Sequence, residues 1–171
     1  MKNPYRVIHS TCEELRKRVH VILVRPEYSG NIGSVSRALQ NMGVFGKLRI
    51  VGSKTQIEWS EARKMAKHAF SRLAEAEFFP TLSDALSGFE APMLSLAASA
   101  RVGSAHRPHP VRVRVGVERA VKKLVMAEVK DLVLVFGPES DGLLNEEIDL
   151  CDYVVTIPSS AAYRSVNLAQ S

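Results

Sequence analysis

Five short apolar runs occur along the chain, and each has the length of a β-strand. None of them alternates cleanly between apolar and polar residues, which is typical of strands buried on both faces of a parallel sheet. The predicted strands are His20–Arg25, Leu48–Val51, Met93–Ala97, Leu132–Phe136 and Tyr153–Ile157. Pro158 directly follows the last run and ends it.

Helical patterns lie between these strands. The first helix is predicted from an apolar stripe with helical spacing, formed by Ile32, Val35, Leu39 and Met42. A second is predicted to be capped by Thr81, to run through Leu86 and to be closed by Gly88.

Two more helices are predicted further along the chain. One covers Val117–Val129, and Asn145 is predicted to cap a short one whose first turn holds Glu146 and Glu147. Strands and helices in alternation predict an α/β fold, with a mostly parallel sheet and helices on both of its faces.

Length and composition fit one cytoplasmic domain. The 171 residues are enough to bury a core, and no apolar stretch approaches the length needed to cross a bilayer. Residues 1–18 lack the apolar segment of an export signal. Cys12 and Cys151 are far apart, so we expect neither a disulfide scaffold nor a bound metal.

The formal net charge of +5 is unevenly distributed. The segment between Glu90 and Glu118 has no acidic residue but contains Arg101, Arg107, Arg112 and Arg114. From Asp131 to Tyr163 there is, conversely, no Lys or Arg. The basic segment indicates an anionic partner, although many domains of unrelated function are equally basic.

In a parallel α/β sheet, ligands bind beyond the carboxyl ends of the strands. After the first strand, Gly30 and Gly33 flank the start of a helix, with Asn31 near its cap. Their spacing matches neither a dinucleotide-binding glycine motif nor a P-loop. The helix carries a polar seam of Ser34, Arg37 and Asn41. Arg37 is placed to reach a bound phosphate or ribose, or else is a solvated surface residue.

The segment after the third strand begins with small residues, Ala97 to Ala100, which allow a close approach to the backbone. The long basic connection that follows is of a kind that is often functional. Its histidines, His106 and His109, have metal-like spacing but no further ligands. An alternative for the arginines is an edge strand, Val111–Val115, with Arg112 and Arg114 facing water.

After the fourth strand, Gly137 and Pro138 end the extended run and Glu139 follows. A carboxylate at this position can fix neighbouring backbone amides, or it can act as an acid or base. No second carboxylate pairs with it as glycosidase chemistry requires, and the chain has no GxSxG motif for a nucleophilic serine.

Three segments carry a resemblance to a known family: NIGSVSRALQNMG, FGPESDGL and IPSSAAYRSVNLAQS. In this order they resemble the three motifs of the SpoU-type RNA ribose 2′-O-methyltransferases, which belong to the SPOUT superfamily. The resemblance covers 19–171 and leaves 1–18 as an N-terminal extension. Among subgroups it is most similar to the tRNA methyltransferases that act on the pyrimidine ribose at position thirty-two.

The resemblance implies a homodimeric enzyme that uses S-adenosylmethionine to methylate a ribose hydroxyl of RNA, with tRNA as the expected substrate. It implies a SPOUT α/β knot, in which the chain after the last strand threads a preceding loop to form a trefoil. Members of the family carry a further helix, so we expect the C-terminal helix to be truncated here.

The resemblance also implies roles for particular residues. The implied catalytic set is Arg37, Asn31, Glu139, Ser165 and Asn167. The implied cofactor-binding residues are Ala98, Ser99, Ala100, Gly137, Ile157, Ser165, Val166 and Asn167. RNA phosphates are expected to contact Arg101, Arg107, Arg112 and Arg114. The sequence departs from the family pattern at Arg164, often Ser, and at Val166, usually Leu.

Other classes of function fit the sequence less well. An RNA-binding protein of the same fold without catalysis would not need Asn31, Arg37, Glu139 and Asn167 together. A nucleotide enzyme with a Rossmann sheet would need the glycine motif and an acidic ribose ligand that this chain lacks. Ribosomal RNA is the alternative substrate to tRNA.

Overall fold

The structure is a computed structural model that describes residues 13–99, 114–115, 118, 122, 129–156 and 168. In this part of the chain one sheet has the strand order β3-β2-β1-β6-β4-β7-β5, and every neighbouring pair is parallel. The strands are β1 (Val19–Val24), β2 (Leu48–Val51), β3 (Glu77–Phe79), β4 (Met93–Ala98), β5 (Arg114–Val115), β6 (Asp131–Phe136) and β7 (Tyr153–Val155).

Helices connect the strands, because parallel neighbours need crossover connections. The helices whose bounds are described are α1 (Ser29–Met42), α2 (Trp59–Ala66), α3 (Phe70–Ala74), α4 (Leu82–Leu86) and α5 (Asn145–Asp149), and residues 13–17 are also helical. Two short 3-10 turns, Lys54–Gln56 and Lys67–Ala69, precede α2 and α3.

The central strands are buried on both faces. In β1, Val21 and Leu23 belong to a core with Ile32 of α1, whereas Ile22 and Val24 belong to another core that contains residues of α4 and α5. Helices therefore cover both faces of the sheet, and the predicted α/β fold with a mostly parallel sheet is confirmed.

All five predicted strands are present: β2 has the predicted ends, and the other four strands have shifted ends. Arg25 lies outside β1 with a φ of 47°, and β4 and β6 each include one residue more than predicted, Ala98 and Asp131. Thr156 lies outside β7. The pattern missed β3, α2 and α3. The strand β5 lies at one edge of the sheet. This agrees with the alternative prediction that the segment around Arg114 forms an edge strand.

Three helix predictions need correction. Met42 is 65% exposed, because the last turn of α1 extends beyond the core that its apolar stripe covers. Asn145 is the first residue of α5 rather than its cap, and the carboxylate of Glu147 accepts from the backbone N of the preceding Leu144 at 2.8 Å. Val129, the predicted end of the third helix, is buried but not helical.

The remaining helix predictions agree with the structure where it describes them. Thr81 caps α4, its hydroxyl accepting from the backbone N of Asp84 at 3.1 Å, and Gly88 follows with a φ of 75°. Of the third predicted helix the structure describes Glu118 and Lys122, both helical.

The strand β2 carries a buried arginine within its apolar run. Arg49 donates to Glu77 Oε2 at 2.8 Å and to the carbonyls of Ala85 and Ser87 at 2.6 Å each. Burial alone would raise the pKa of Glu77, but hydrogen bonds from Lys47 and Arg49 outweigh burial and lower it. The buried charge is thus paired and hydrogen-bonded, as a buried charge must be.

Helices α1 and α2 pack closely because Gly33 has no side chain. A Cβ at Gly33 would lie 2.1 Å from the carbonyl oxygen of Ala62, which is itself fully buried. Further along the same helix, the hydroxyl of Ser36 donates to the carbonyl of Ala69 at 2.9 Å. These contacts fix the position of α1, the helix that carries Asn31 and Arg37.

We expect Gly33→Ala to lower the free energy of unfolding by roughly 1–3 kcal/mol, because the added methyl group meets backbone that cannot move away. The matched control is Gly30→Ala, whose methyl group would meet the end of the Glu61 side chain at 3.0 Å. That end can rotate aside, and alanine favours a helix over glycine by about 1 kcal/mol. Denaturant unfolding compares the two variants, and equal stabilities would contradict the packing argument.

Candidate active site

The carboxyl ends of β1 and β6 are adjacent, because these strands pair in parallel with Leu23 opposite Phe136. The segments that follow them carry Asn31 and Glu139. Glu139 Oε1 accepts a hydrogen bond from Asn31 Nδ2 at 2.8 Å, and Glu139 Oε2 accepts from the backbone N of Glu27 at 2.9 Å. Two predicted site residues, distant in sequence, are thus in contact.

These bonds assign one of the two roles considered for Glu139. Its carboxylate fixes a backbone amide of the neighbouring loop and holds the Asn31 side chain at the start of α1. A role in moving a proton stays a prediction.

The same two loops are joined a second time in the opposite direction. Glu27 Oε2 accepts from the backbone N of Ser140 at 3.2 Å, and Glu27 Oε1 accepts from the Ser140 hydroxyl. The loop after β1 and the loop after β6 therefore exchange backbone-to-carboxylate hydrogen bonds.

An ion pair joins the start of the first loop to α5. Arg25 donates through both terminal nitrogens to Glu147, with Nη2 3.1 Å from Oε2. The Glu147 carboxylate is buried, and its hydrogen bond raises the pKa of Arg25 above the ordinary value. The backbone N of Arg25 also donates to the carbonyl of Val51 at 2.8 Å, so this residue ties β2 and α5 to the end of β1.

The polar seam of α1 continues away from Asn31. Ser34 Oγ donates back to the carbonyl of Gly30 at 2.8 Å, and both Arg37 and Asn41 are exposed. Within the described residues Arg37 has no hydrogen bond or ion pair. Side chains on a helix lean toward its N-terminus, which for Arg37 is the end that holds Asn31.

The predicted cofactor residues in the described part of the chain lie at the ends of β4 and β6, which are neighbours in the sheet. Ala98 is the last residue of β4, and the backbone N of Ser99 donates to the carbonyl of Val155 in β7 at 3.0 Å. Gly137 follows β6, and a Cβ there would lie 2.3 Å from the backbone N of Leu143. The packing of its own loop therefore requires a residue without a side chain at this position, whether or not a ligand also contacts it.

Several predicted site residues lie outside the described residues, as does the predicted knot. These are Ala100, Arg101, Arg107, Arg112, Ile157, Ser165, Val166 and Asn167. Arg114 is described only as part of β5. Leu168, which directly follows Asn167, is buried in the core that contains Ile32 and Val35 of α1. The residue after Asn167 of the third motif therefore shares a core with the helix of the first motif.

Sequence reasoning missed four residues of this constellation: Arg25, Glu27, Ser140 and Glu147. One indication was available, because the segment from Asp131 to Tyr163 has carboxylates but no Lys or Arg. Its buried carboxylates must take their partners from other segments, and Arg25 is such a partner.

Within the ranges that the structure describes, no helix is long and apolar enough to cross a membrane. The same residues contain no group of three or more His, Cys, Asp or Glu side chains arranged to hold a metal ion.

Comparison with known proteins identifies the class to which this fold and site belong. The model of the SpoU rRNA Methylase family matches residues 18–171. The chain therefore belongs to the SpoU methylase family, and the resemblance of its three motifs is confirmed.

Individual relatives agree with this assignment. The chain is 41% identical to the tRNA (cytidine-2′-O-)-methyltransferase TrmJ of Methanocaldococcus jannaschii over 90% of its own length and 63% of the relative's. It thus spans less than two thirds of that protein.

Solved structures show the same fold. A probable methyltransferase from Bordetella pertussis Tohama I superposes with a TM-score of 0.74 at 34% identity, over 92% of this chain and 91% of that one. TrmJ from Z. mobilis ZM4 gives a TM-score of 0.73 at 30% identity, over 88% of this chain and 63% of that one.

Proposed function

We propose that the protein is an S-adenosylmethionine-dependent RNA methyltransferase that modifies a ribose 2′-hydroxyl in tRNA, at the pyrimidine of position thirty-two. Membership of the SpoU methylase family and the tRNA methyltransferases among the relatives support this function. The observation that carries it is the hydrogen bond between Asn31 and Glu139, since it assembles residues of two motifs at the carboxyl edge of the sheet.

The described residues fit a cofactor beside this edge. Ala98 and Ser99 leave β4 next to β6, and both are only half-buried, so small side chains and partly open backbone stand at the ligand end of two neighbouring strands. We assign the binding of S-adenosylmethionine to Ala98, Ser99 and Gly137, together with the residues of the third motif. When bound, this cofactor supplies a methyl group activated by a sulfonium.

The residues of the chain must orient the ribose hydroxyl and help to remove its proton. Asn31 and Glu139 form a fixed polar shell at the start of α1. Arg37 holds the phosphate next to the reacting ribose and polarises the hydroxyl, while water takes the proton. A guanidinium keeps its own proton at neutral pH, which favours positioning over base catalysis for Arg37.

Ribosomal RNA is the second candidate substrate, because the family model is described as an rRNA methylase. A non-catalytic RNA-binding protein is disfavoured by the intact pair of Asn31 and Glu139.

The function is tested by incubating the full-length protein with S-adenosylmethionine and unmodified tRNA, and then mapping ribose methylation. We expect one 2′-O-methyl group in the anticodon loop, absent from tRNA of a deletion strain. S-adenosylmethionine should also raise the Tm, as any ligand selective for the folded state does, whereas NAD should not. Methylation of ribosomal RNA alone would favour the second candidate, and binding of NAD instead of S-adenosylmethionine would contradict the proposal.

We also propose that the protein acts in the cytoplasm as a homodimer, in which the basic segment and N-terminal region of one subunit complete the RNA site of the other. Sedimentation velocity at micromolar concentration tests the dimer. An active monomer would contradict it.

The basic segment between Glu90 and Glu118 is proposed to contact RNA phosphates. Replacing Arg107, Arg112 and Arg114 with alanine should weaken tRNA binding and reduce the slope of log affinity against log salt by about 0.7 to 0.9 per lost contact. Affinity for S-adenosylmethionine should stay unchanged. A matched control removes three exposed lysines elsewhere, Lys54, Lys64 and Lys122. If the two triple variants have equal slopes, the three arginines are ordinary surface residues that do not contact RNA phosphates.

A further inference from the structure

Glu27 holds the Glu139 segment at two points. Its backbone N–H donates to the Glu139 carboxylate at 2.9 Å. Its own carboxylate accepts from the N–H of Ser140, the peptide group that directly follows Glu139, at 3.2 Å, and also from the Ser140 hydroxyl. We propose that Glu27 and Ser140 form a positioning pair that orients Glu139 and, through it, Asn31. This inference rests on the proposed function.

Glu139 needs such support because the loop that carries it is not fixed by a strand or helix. It leaves β6 at Gly137 and reaches Gly142, whose φ of 69° gives the backbone a left-handed turn. The pair holds the loop at the residue next to Glu139, while the Glu27 amide holds the carboxylate itself. Movement of this loop would carry the Glu139 carboxylate away from Asn31 Nδ2.

Because the pair is exposed, its effect on the orientation of Glu139 can be distinguished from an effect on the stability of the fold. Both Glu27 and Ser140 are exposed to solvent, and exposed hydrogen bonds contribute little to the free energy of folding. Asp141 Oδ2 is a competing acceptor for the Ser140 hydroxyl at 3.3 Å, a longer contact than the one to Glu27. Loss of the pair should therefore change the orientation of Glu139 without unfolding the protein.

The test compares Glu27→Ala, Ser140→Ala and the double variant in the full-length protein. We expect each single variant to lower kcat roughly tenfold, since a small misplacement of a catalytic group costs rate rather than binding. KM for RNA and for S-adenosylmethionine should stay within about twofold of wild type, because the affected atoms orient rather than bind. The double variant should be no worse than Glu27→Ala, because the two side chains act as one unit. Ser140→Thr keeps both donors and should keep kcat.

The matched control is Glu58→Ala. Glu58 makes the same kind of contact at the start of α2, accepting from the backbone N and the hydroxyl of Ser60 at 3.1 and 2.7 Å. It should leave kcat unchanged. If Glu58→Ala lowers kcat as much as Glu27→Ala, the effect is general and the positioning pair is wrong.

A second readout does not depend on catalysis. The amide proton of residue 27 reports on its bond to Glu139, so its protection from hydrogen exchange should fall roughly tenfold in Ser140→Ala, while the β1 amides stay protected. If both the protection of this amide and kcat are unchanged in Ser140→Ala, the proposal that Glu27 and Ser140 form a positioning pair is wrong. If wild type methylates no RNA, the proposed function fails, and the exchange of this amide alone decides whether Glu27 and Ser140 position Glu139.

Discussion

Arg37→Ala is expected to lower kcat for methyl transfer by roughly 10²–10³-fold, the range seen when one preorganised donor is removed from an active site. Binding of S-adenosylmethionine and the Tm should stay close to wild type. Arg37 is exposed and has no hydrogen bond or ion pair within the described residues, so its removal leaves no buried partner unsatisfied. The matched control is Asn41→Ala, which changes an exposed residue of the same polar seam one turn further from Asn31.

Arg37→Lys separates the two roles that Arg37 can have. Lysine keeps the positive charge but loses the planar fork of donors, and it gives up a proton far more readily. If Arg37 is a base, the lysine variant should retain activity that rises with pH. If Arg37 positions phosphate and hydroxyl, lysine should be almost as poor as alanine at every pH, and this is the result we expect. Full activity of Arg37→Ala would exclude both roles.

The sequence predicts the doubly buried strands well because their apolar runs are long enough to be recognised without knowing their neighbours. β3 was missed for the opposite reason. It has only three residues, Glu77–Phe79, all half-buried, and Glu77 is held in place by Lys47 and Arg49. Met42 shows a related limit, because helical spacing identifies a stripe but not the point at which the core ends.

The site was predictable only in part, because its contacts depend on strand order. Asn31 and Glu139 could be named from the motifs, but their contact exists because β1 and β6 are neighbours in the sheet. Glu27 lies outside the three motifs, and Ser140 lies inside the second but has no role implied by it, so only the adjacency of their two loops identifies the pair. Arg25, at the start of the first of these loops, likewise meets its carboxylate on α5 only in the folded chain.

The second large effect is expected at the contact between Asn31 and Glu139, and it can be reversed by exchanging donor and acceptor. In Asn31→Asp two carboxylates would face each other where a hydrogen bond of 2.8 Å now lies, and like charges at that distance repel. In Glu139→Gln the amide must turn its NH₂ group toward either Asn31 Nδ2 or the Glu27 amide, both of which are donors. We expect each single variant to lower kcat by about 10²-fold, equivalent to about 2.7 kcal/mol of lost transition-state stabilisation.

The double variant Asn31→Asp/Glu139→Gln restores every hydrogen bond of the contact. The NH₂ group of the introduced glutamine would donate to the new carboxylate at position 31, and its oxygen would still accept from the backbone N of Glu27. A carboxylate in the first turn of α1 is also favoured by the helix dipole. If Glu139 acts by orientation, kcat of the double variant should return to within about tenfold of wild type, well above either single variant. A double variant that recovers the protection of the Glu27 amide but not kcat would show instead that the carboxylate of Glu139 takes part in the proton transfer.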